Sequence, residues 1–385
     1  MKKNLLFVAA AAFAALTACS KNEPVAPAGD AETEISYVVA PKVKSGDYKE
    51  FDKSWYFHSF AYYLPEGYSW AAGSASATAY LYGSQIEWDS TVWRNKGTKY
   101  YWPKKGGLTF FAWAFLNESI SYTNPGDADY GKSSFNNGSV MSATFDVNPS
   151  EGIKFIDYNV VEDKNLDVLV ADIVADQNHN TVSGETGYMF REGVPTLFRH
   201  KLSKVVFTAT TKEDYGEDVV FTINSIKFNN LAIKGTYVQG TNPSSCVGGW
   251  TPQEPTDEAD KVQTYYSSDT DPFTVPNGST KYEIYSPDGQ YFYLPQTFDA
   301  NDTFTVDYNI TIKADNSGVG TTTDIIEQHV TQVCALKAAE GDSIFDKFEI
   351  GKKYTINLVF GLEEILWDPA TEDWEDAGSS EVEID

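Results

Sequence analysis

The chain has 385 residues, a formal net charge of −26, and 42% hydrophobic and 15% aromatic residues. That length admits two domains, and the acidic balance repels phosphate backbones and anionic headgroups, which excludes nucleic-acid binding. The charge is also uneven, with ten acidic residues and no basic one from Glu363 to Asp385.

Met1-Lys2-Lys3 is a basic start, Leu5 to Ala15 is a short apolar run, and Leu16-Thr17-Ala18 precedes Cys19. A positive n-region, a short apolar h-region and small residues before the cut define a secretory signal. The run is too short to span a bilayer, which needs roughly 20 residues. A cysteine directly after Leu-Thr-Ala resembles the bacterial lipobox. On that reading residues 1–18 are removed and Cys19 is the acylated first residue of an exported lipoprotein; the alternative is an ordinary signal peptide with an incidental cysteine. No second stretch is apolar and long enough to cross a membrane, so the acyl group on Cys19 is the expected anchor. Residues 19–33, polar and rich in Pro and Ala, read as a flexible tether.

Period-two patterns follow. Ile35, Tyr37 and Val39 alternate with smaller or polar neighbours, and Trp55, Phe57, Ser59, Ala61 and Tyr63 form one side of the next run. Tyr100-Tyr101-Trp102-Pro103 leads through Gly106-Gly107 into Leu108 to Phe115. In the clearest case Phe304, Val306, Tyr308, Ile310 and Ile312 share one face, while Thr305, Asp307, Asn309 and Thr311 share the other, a half-buried strand. Tyr354, Ile356, Leu358 and Phe360 repeat the pattern. Turn clusters separate these runs, among them Asn124-Pro125-Gly126-Asp127, Asn242-Pro243 and Asn277-Gly278. Helical periodicity is confined to possible single turns at Ser90 to Lys96 and Ala335 to Glu340. Many short strands at this spacing predict an all-β chain of antiparallel β-sandwiches. A boundary near Gly193 to Arg199 divides it into an N-terminal domain, 34–195, and a C-terminal domain, 196–385.

Signatures of catalysis are scarce. The chain has no Gly-x-Ser-x-Gly elbow, no His-Glu-x-x-His and no phosphate-cradling loop followed by Lys. His58, His179, His200 and His329 stand apart and read as strand or turn residues. Asp127-Ala128-Asp129 begins like a calcium loop, but the required Gly and Glu positions are Lys132 and Gly138. No catalytic residue, cofactor or metal is assigned, and the chain is read as a non-enzyme. Cys246 and Cys334 have no metal-type spacing, and an exported compartment permits a bridge between them without requiring one. Asp89-Ser90-Thr91 and Asp342-Ser343-Ile344 resemble acceptor sites for O-glycans on exported bacterial proteins, a pattern that also arises by chance. Trp70, Trp88, Trp93 and Trp250 sit in loop-like stretches, where exposed rings would stack on sugars; interior packing is the other reading.

The order of motifs carries a resemblance. Phe60-Ala61-Tyr62-Tyr63 follows the signal, then Tyr100-Tyr101-Trp102-Pro103 with Gly107 to Ala112 behind it. Next come Leu166 to Ala171, Phe198 to Val205, and Tyr293-Leu294-Pro295-Gln296-Thr297-Phe298. Gly351-Lys352-Lys353-Tyr354 opens a last strand that runs into Ile365-Leu366-Trp367-Asp368 and Asp373-Trp374. This succession resembles the fimbrillin family, the Mfa-like lipoprotein subunits of type V pili. The resemblance implies two transthyretin-like β-sandwich domains in tandem, and a structural role in an adhesive fimbria at the outer membrane and cell surface. It also implies a protease that cuts after the first strand. The vacated groove is then filled by the C-terminal segment of another subunit, in a homo- or hetero-polymer that meets a host or glycan receptor.

Set against that scheme, Ile35, Tyr37 and Val39 form a removable first strand. Burying such side chains contributes about 1.5–3 kcal/mol each, against about 1–2 kcal/mol per residue for ordering the backbone. These terms are comparable, so the strand holds and yet is replaceable. Val382 and Ile384 alternate with Glu381, Glu383 and Asp385, the pattern of a donor-strand tip or of a frayed acidic tail. Family members cut by an Arg-specific protease carry Arg after the first strand. Here the loop holds Lys42, Lys44, Lys49 and Lys53, and the first Arg is Arg94. Either a Lys-tolerant protease acts, or the loop stays uncut; stalk, tip and anchor positions all remain open.

Overall fold

The alternating segments become strands because their apolar faces have two places to go: into a closed barrel, or between packed sheets. The computed structural model describes residues 34–40, 51, 53–117, 143–162, 166–178, 193–244, 247–268, 270–285, 290–316, 321–337, 346–362 and 366–373. The signal at 1–18, Cys19 and the tether lie outside these. The described part is nearly all β-structure in several mostly antiparallel sheets, with one short α-helix, Trp70–Gly73.

The first sheet closes on itself. Its order is Tyr56–Leu64, Thr78–Trp88, Trp93–Asn95, Ser36–Ala40, Val194–His200, Leu166–Ala171 and Gly107–Asn117, and the last strand pairs back to the first. Val174–Gln177 adds to Gly107–Asn117 at Leu108 and Phe110. Every pairing is antiparallel except that of Ser36–Ala40 with Val194–His200. Residues 90–96, expected as a helical turn, instead form a turn and the three-residue strand Trp93–Asn95. The Asp89 carboxylate accepts the amides of Thr91 and Val92 and Ser90 takes a positive φ of 83°, so the chain reverses rather than coils.

Tyr56–Leu64 shows why this segment is apolar on both faces. Phe57 and Ala61 point into the barrel with Trp55, Leu108, Phe110, Ala112, Leu169 and Val194. Phe60, Tyr62 and Leu64 point outward and meet a second layer. That layer is the sheet Gly249–Gln253, Lys234–Val238, Gly152–Asn159 and Thr144–Asn148. Two of its strands precede residue 195 and two follow it. Leu202, Ile233, Tyr237, Phe292 and Leu294 therefore share a core with Phe111, Trp113 and Phe115.

A separate sandwich encloses the third core. One of its sheets contains Ser203–Thr211, Lys352–Phe360 and Leu366–Asp373; the other contains Val262–Ser267, Val219–Asn229, Thr303–Asn316 and Thr321–Ala335. Ser203–Thr211 and Lys352–Phe360 run parallel. The alternation read at Phe304 is found here, with Phe304, Val306, Tyr308 and Ile310 all buried against Phe207, Phe221, Ile356 and Leu358. Cys334 is a buried free thiol, pushed up to about 11 by that burial; Cys246 lies outside the described residues.

Asp302 ends the turn before Thr303 and is only 6% exposed. Burial pushes its carboxyl up to about 6, the amide of Asp299 opposing and the charges of Asp299 and Glu254 adding. An acid whose proton is held more tightly in the fold stabilises below its unfolded value near 3.8, and that contribution is lost as pH rises through about 6. Asp302→Asn keeps an acceptor for the Asp299 amide and does not ionise. In urea titrations its midpoint should rise relative to the parent between pH 4 and pH 7; parallel shifts at the two pH values would remove Asp302 as the source.

Candidate functional site

The site begins with what Ser36–Ala40 touches. Along one edge Tyr37, Val38, Val39 and Ala40 lie opposite Val194, Pro195, Thr196 and Leu197; along the other, Ser36 and Tyr37 lie opposite Arg94 and Trp93. The Ile35 amide donates to the Tyr100 carbonyl at 2.8 Å. Ile35 is fully buried, Tyr37 is 2% exposed, Val39 is partly buried against the same core, and Val38 faces outward at 41%. The strand is thus a stave with one face inward. Its removal would leave the edges of Trp93–Asn95 and Val194–His200 without a partner between them.

Tyr37 occupies a socket at the middle of this slot. Its ring meets Phe57 at 5.6 Å and Phe110 at 6.0 Å, both edge to face. Its hydroxyl donates to Ser59 Oγ at 3.0 Å, and that hydroxyl in turn faces the Phe111 carbonyl at 3.5 Å. Burial holds the Tyr37 phenol far above its ordinary range, its bond to Ser59 only partly opposing. Gly193 floors the slot with φ +111°, and a Cβ there would sit 2.8 Å from the Tyr37 carbonyl carbon. No side chain fits that close approach in that conformation.

After the slot, the chain re-enters at Phe51, whose ring stacks on Phe198 at 5.0 Å and meets Trp55 at 5.2 Å and Trp93 at 5.5 Å. Lys53 lies in the turn that follows, its ammonium 4.6 Å above the Trp88 ring. Lys42, Lys44 and Lys49 lie outside the described residues, as do Val382 and Ile384.

Trp70 and Trp93 are interior, 1% and 5% exposed. The Trp70 indole donates to the Thr241 carbonyl at 2.9 Å, and that of Trp250 to the Lys201 carbonyl at 2.6 Å while its ring packs on Tyr158 and Tyr237. Trp88 is half-buried beneath Lys53. These four rings pack or cap; they do not form a sugar platform. His58 stacks on Trp113 at 4.8 Å, and burial lowers its pKa. His200 Nδ1 lies 2.7 Å from the Asp167 carboxylate, and His329 Nε2 lies 3.2 Å from that of Asp307. His179 is outside the described residues. Among the described residues no group of three or more His, Cys, Asp or Glu is placed to hold a metal ion, and no helix is long and apolar enough to cross a membrane.

The alternation of Ile35, Tyr37 and Val39 read from the sequence is present as a strand face, whereas that alternation gives no part to Ser59 or Gly193. Ser59 left a trace, as the one hydroxyl on the otherwise apolar face of Trp55, Phe57 and Ala61. Gly193 left none beyond its place before Val194-Pro195, since its partner lies more than 150 residues earlier.

With this geometry in place, the comparisons with known proteins are specific. A family model described as fimbrillin-like matches residues 67–374. A solved fimbrial protein from Bacteroides vulgatus aligns with a TM-score of 0.57 at 16% identity, covering 89% of this chain and 99% of its own; that likeness shows the fold. A candidate cell adhesion protein from Bacteroides uniformis aligns more loosely, with a TM-score of 0.43 at 15% identity over 89% of this chain and 98% of its own. The tip fimbrial protein Mfa3 from Porphyromonas gingivalis, solved with a C-terminal truncation, gives 0.32 at 11% identity over 82% and 94%. No curated protein sequence matches the chain.

Two substitutions test the slot. Tyr37→Phe removes only the hydroxyl and should cost about 1 kcal/mol in denaturant unfolding. Gly193→Ala forces a Cβ into the strand from a positive φ and should cost about 1–3 kcal/mol. In the second variant, amide exchange at residues 36–40 should accelerate more than at 354–360; uniform acceleration would mean that Gly193 does not hold the strand.

Proposed function

The chain belongs to the fimbrillin-like family, and on that premise we propose that it is a structural subunit of a cell-surface fimbria, exported as a lipoprotein and assembled by strand exchange. The observation that carries this reading is the position of the first strand. It is short, N-terminal and buried on one face, yet it closes a ring whose other staves are joined without it. A proteolytic cut in the loop that carries Lys42, Lys44, Lys49 and Lys53 frees Ile35, Tyr37 and Val39 to leave. The gap that opens takes a strand from another subunit, whose main-chain bonds give affinity and whose alternate side chains give register.

In this reading Cys19 carries the acyl group that holds the precursor at the outer membrane, and Val382 with Ile384 forms the tip donated to the next subunit. Residues 34–195 and 196–385 correspond to two transthyretin-like units. The barrel core is drawn from residues 35–198 and the sandwich core from 205–360, while the second sheet takes strands from both sides of the boundary. The role is structural and adhesive rather than catalytic. Support comes from the family and from a site built of packing and pairing.

Mass spectrometry of the protein from its native surface reads the processing step directly. A new N-terminus between Pro41 and Trp55 is expected in the assembled form, with acyl-Cys19 in the precursor. Acyl-Cys19 alone in assembled fibres would rule out removal of the first strand. Deleting residues 380–385 should abolish the heat-sensitive ladder of oligomers on a denaturing gel and leave the unfolding midpoint of the monomer unchanged. An undiminished ladder would exclude Val382 and Ile384 as the donor tip.

A further inference from the structure

If the slot is an acceptor, its walls state what it accepts. The side chain at position 37 enters a socket of two aromatic edges, Phe57 and Phe110, with the Ser59 hydroxyl at its end. Ser59 is fully buried and donates to the Phe111 carbonyl at 3.5 Å, so a strand that brings no polar tip leaves the hydroxyl oxygen without the donor it accepts from Tyr37. Two residues earlier, position 35 is a wholly buried aliphatic site whose amide is claimed by the Tyr100 carbonyl. Gly193 lets the backbone at 37 approach closely and so fixes how deep the strand sits. Positions 36 and 38 face outward and ask little of their side chains.

The residues around the candidate donor tip, Val382 and Ile384, do not answer that description. Residues 374–385 read Trp-Glu-Asp-Ala-Gly-Ser-Ser-Glu-Val-Glu-Ile-Asp. They contain no tyrosine, and no aliphatic residue stands two places before an aromatic one. With Val382 and Ile384 set at positions 35 and 37, the branched side chain would leave the space of a phenol empty and Ser59 without its tyrosine. A register slip does not help, since Trp374 is preceded at the matching place by Glu372.

We propose that the slot is keyed to a different subunit: its strand carries an aliphatic residue, any residue, then a tyrosine, and Ser59 with Gly193 sets that specificity. The proposal rests on the strand-exchange reading and deepens it from a general polymer to a heterologous one. Val382 and Ile384, as a donor tip, would then belong in another protein's slot.

Competition with peptides tests the key without altering the fold. A recognition site for a sequence-specific protease is inserted between residues 45 and 46 of the full chain, and cutting leaves the first strand held only by its contacts. With a fluorophore on the N-terminal fragment, its release is followed by anisotropy as peptides are added. The probes are residues 34–40 as they stand, the same peptide with Tyr37→Phe or Tyr37→Ile, and residues 379–385. The unaltered peptide should displace the fragment. The Phe form should be weaker by about five-fold, the worth of one hydrogen bond, and the Ile form by about 100-fold, from the unfilled socket. Residues 379–385 should compete no better than the Ile form. In a Ser59→Ala protein, the Tyr and Phe peptides should become equal, which loss of stability alone would not produce.

Displacement by the Ile form or by residues 379–385 within about three-fold of the unaltered peptide would overturn the key while leaving strand exchange intact. Unchanged discrimination in Ser59→Ala would overturn the role of the hydroxyl. Failure of every peptide, the unaltered one included, to release the fragment would overturn strand exchange and the key together.

Discussion

Closure of the barrel by five residues, Ser36–Ala40, is the constraint on which the rest of the molecule depends. An open sheet edge beside an apolar interior invites foreign strands, and proteins normally cover it. Here the cover is a five-residue strand near the N-terminus, and on one side it meets a strand of only three residues, Trp93–Asn95. The staves it completes are packed on both faces. Phe110 and Ala112 line the inside, while Phe111 and Trp113 support the second sheet. Closure therefore sets the curvature of strands whose outer faces hold the next layer.

The groups with strongly shifted acidity point the same way. Tyr37, Tyr265, Tyr293 and Tyr354 are all raised chiefly by burial. The hydroxyls of Tyr265 and Tyr293 donate to the carbonyls of Ile284 and Gln290, and that of Tyr354 accepts the Glu349 amide. Catalytic sites gather such groups in a cleft around a reacting atom. In this protein Tyr37 lies in the barrel core and the other three in the sandwich core, where the rings supply bulk and the hydroxyls are taken up by Ser59 or by the backbone. The aromatic content that first suggested sugar stacking is mostly structural.

Much of this fold was legible because a half-buried strand has an exact period of two. Phe304 to Ile312 and Tyr354 to Phe360 needed nothing more. Tyr56–Leu64 was harder, since burial on both faces removes the contrast on which periodicity depends, and only its inward side was read. Trp93–Asn95 was missed because three residues carry no period, and residues 90–96, expected as a helical turn, make a reversal instead. The shared sheet joining Gly152–Asn159 to Lys234–Val238 was invisible for a different reason. Pairing across some 80 residues leaves no local mark. At the site, Ile35, Tyr37 and Val39 announced themselves by alternation, whereas Gly193 acts only through a neighbour distant in sequence.

That distance has a kinetic side. Tyr37 lies opposite Val194, so an emerging chain must present well over a hundred further residues before its first strand has a berth. Contacts of such high order form slowly, because loop-closure entropy is spent before they reward it. The N-terminal strand is therefore the natural last arrival in folding, docking on a barrel otherwise assembled. By the same logic it is the element whose departure disturbs least of what was built before it.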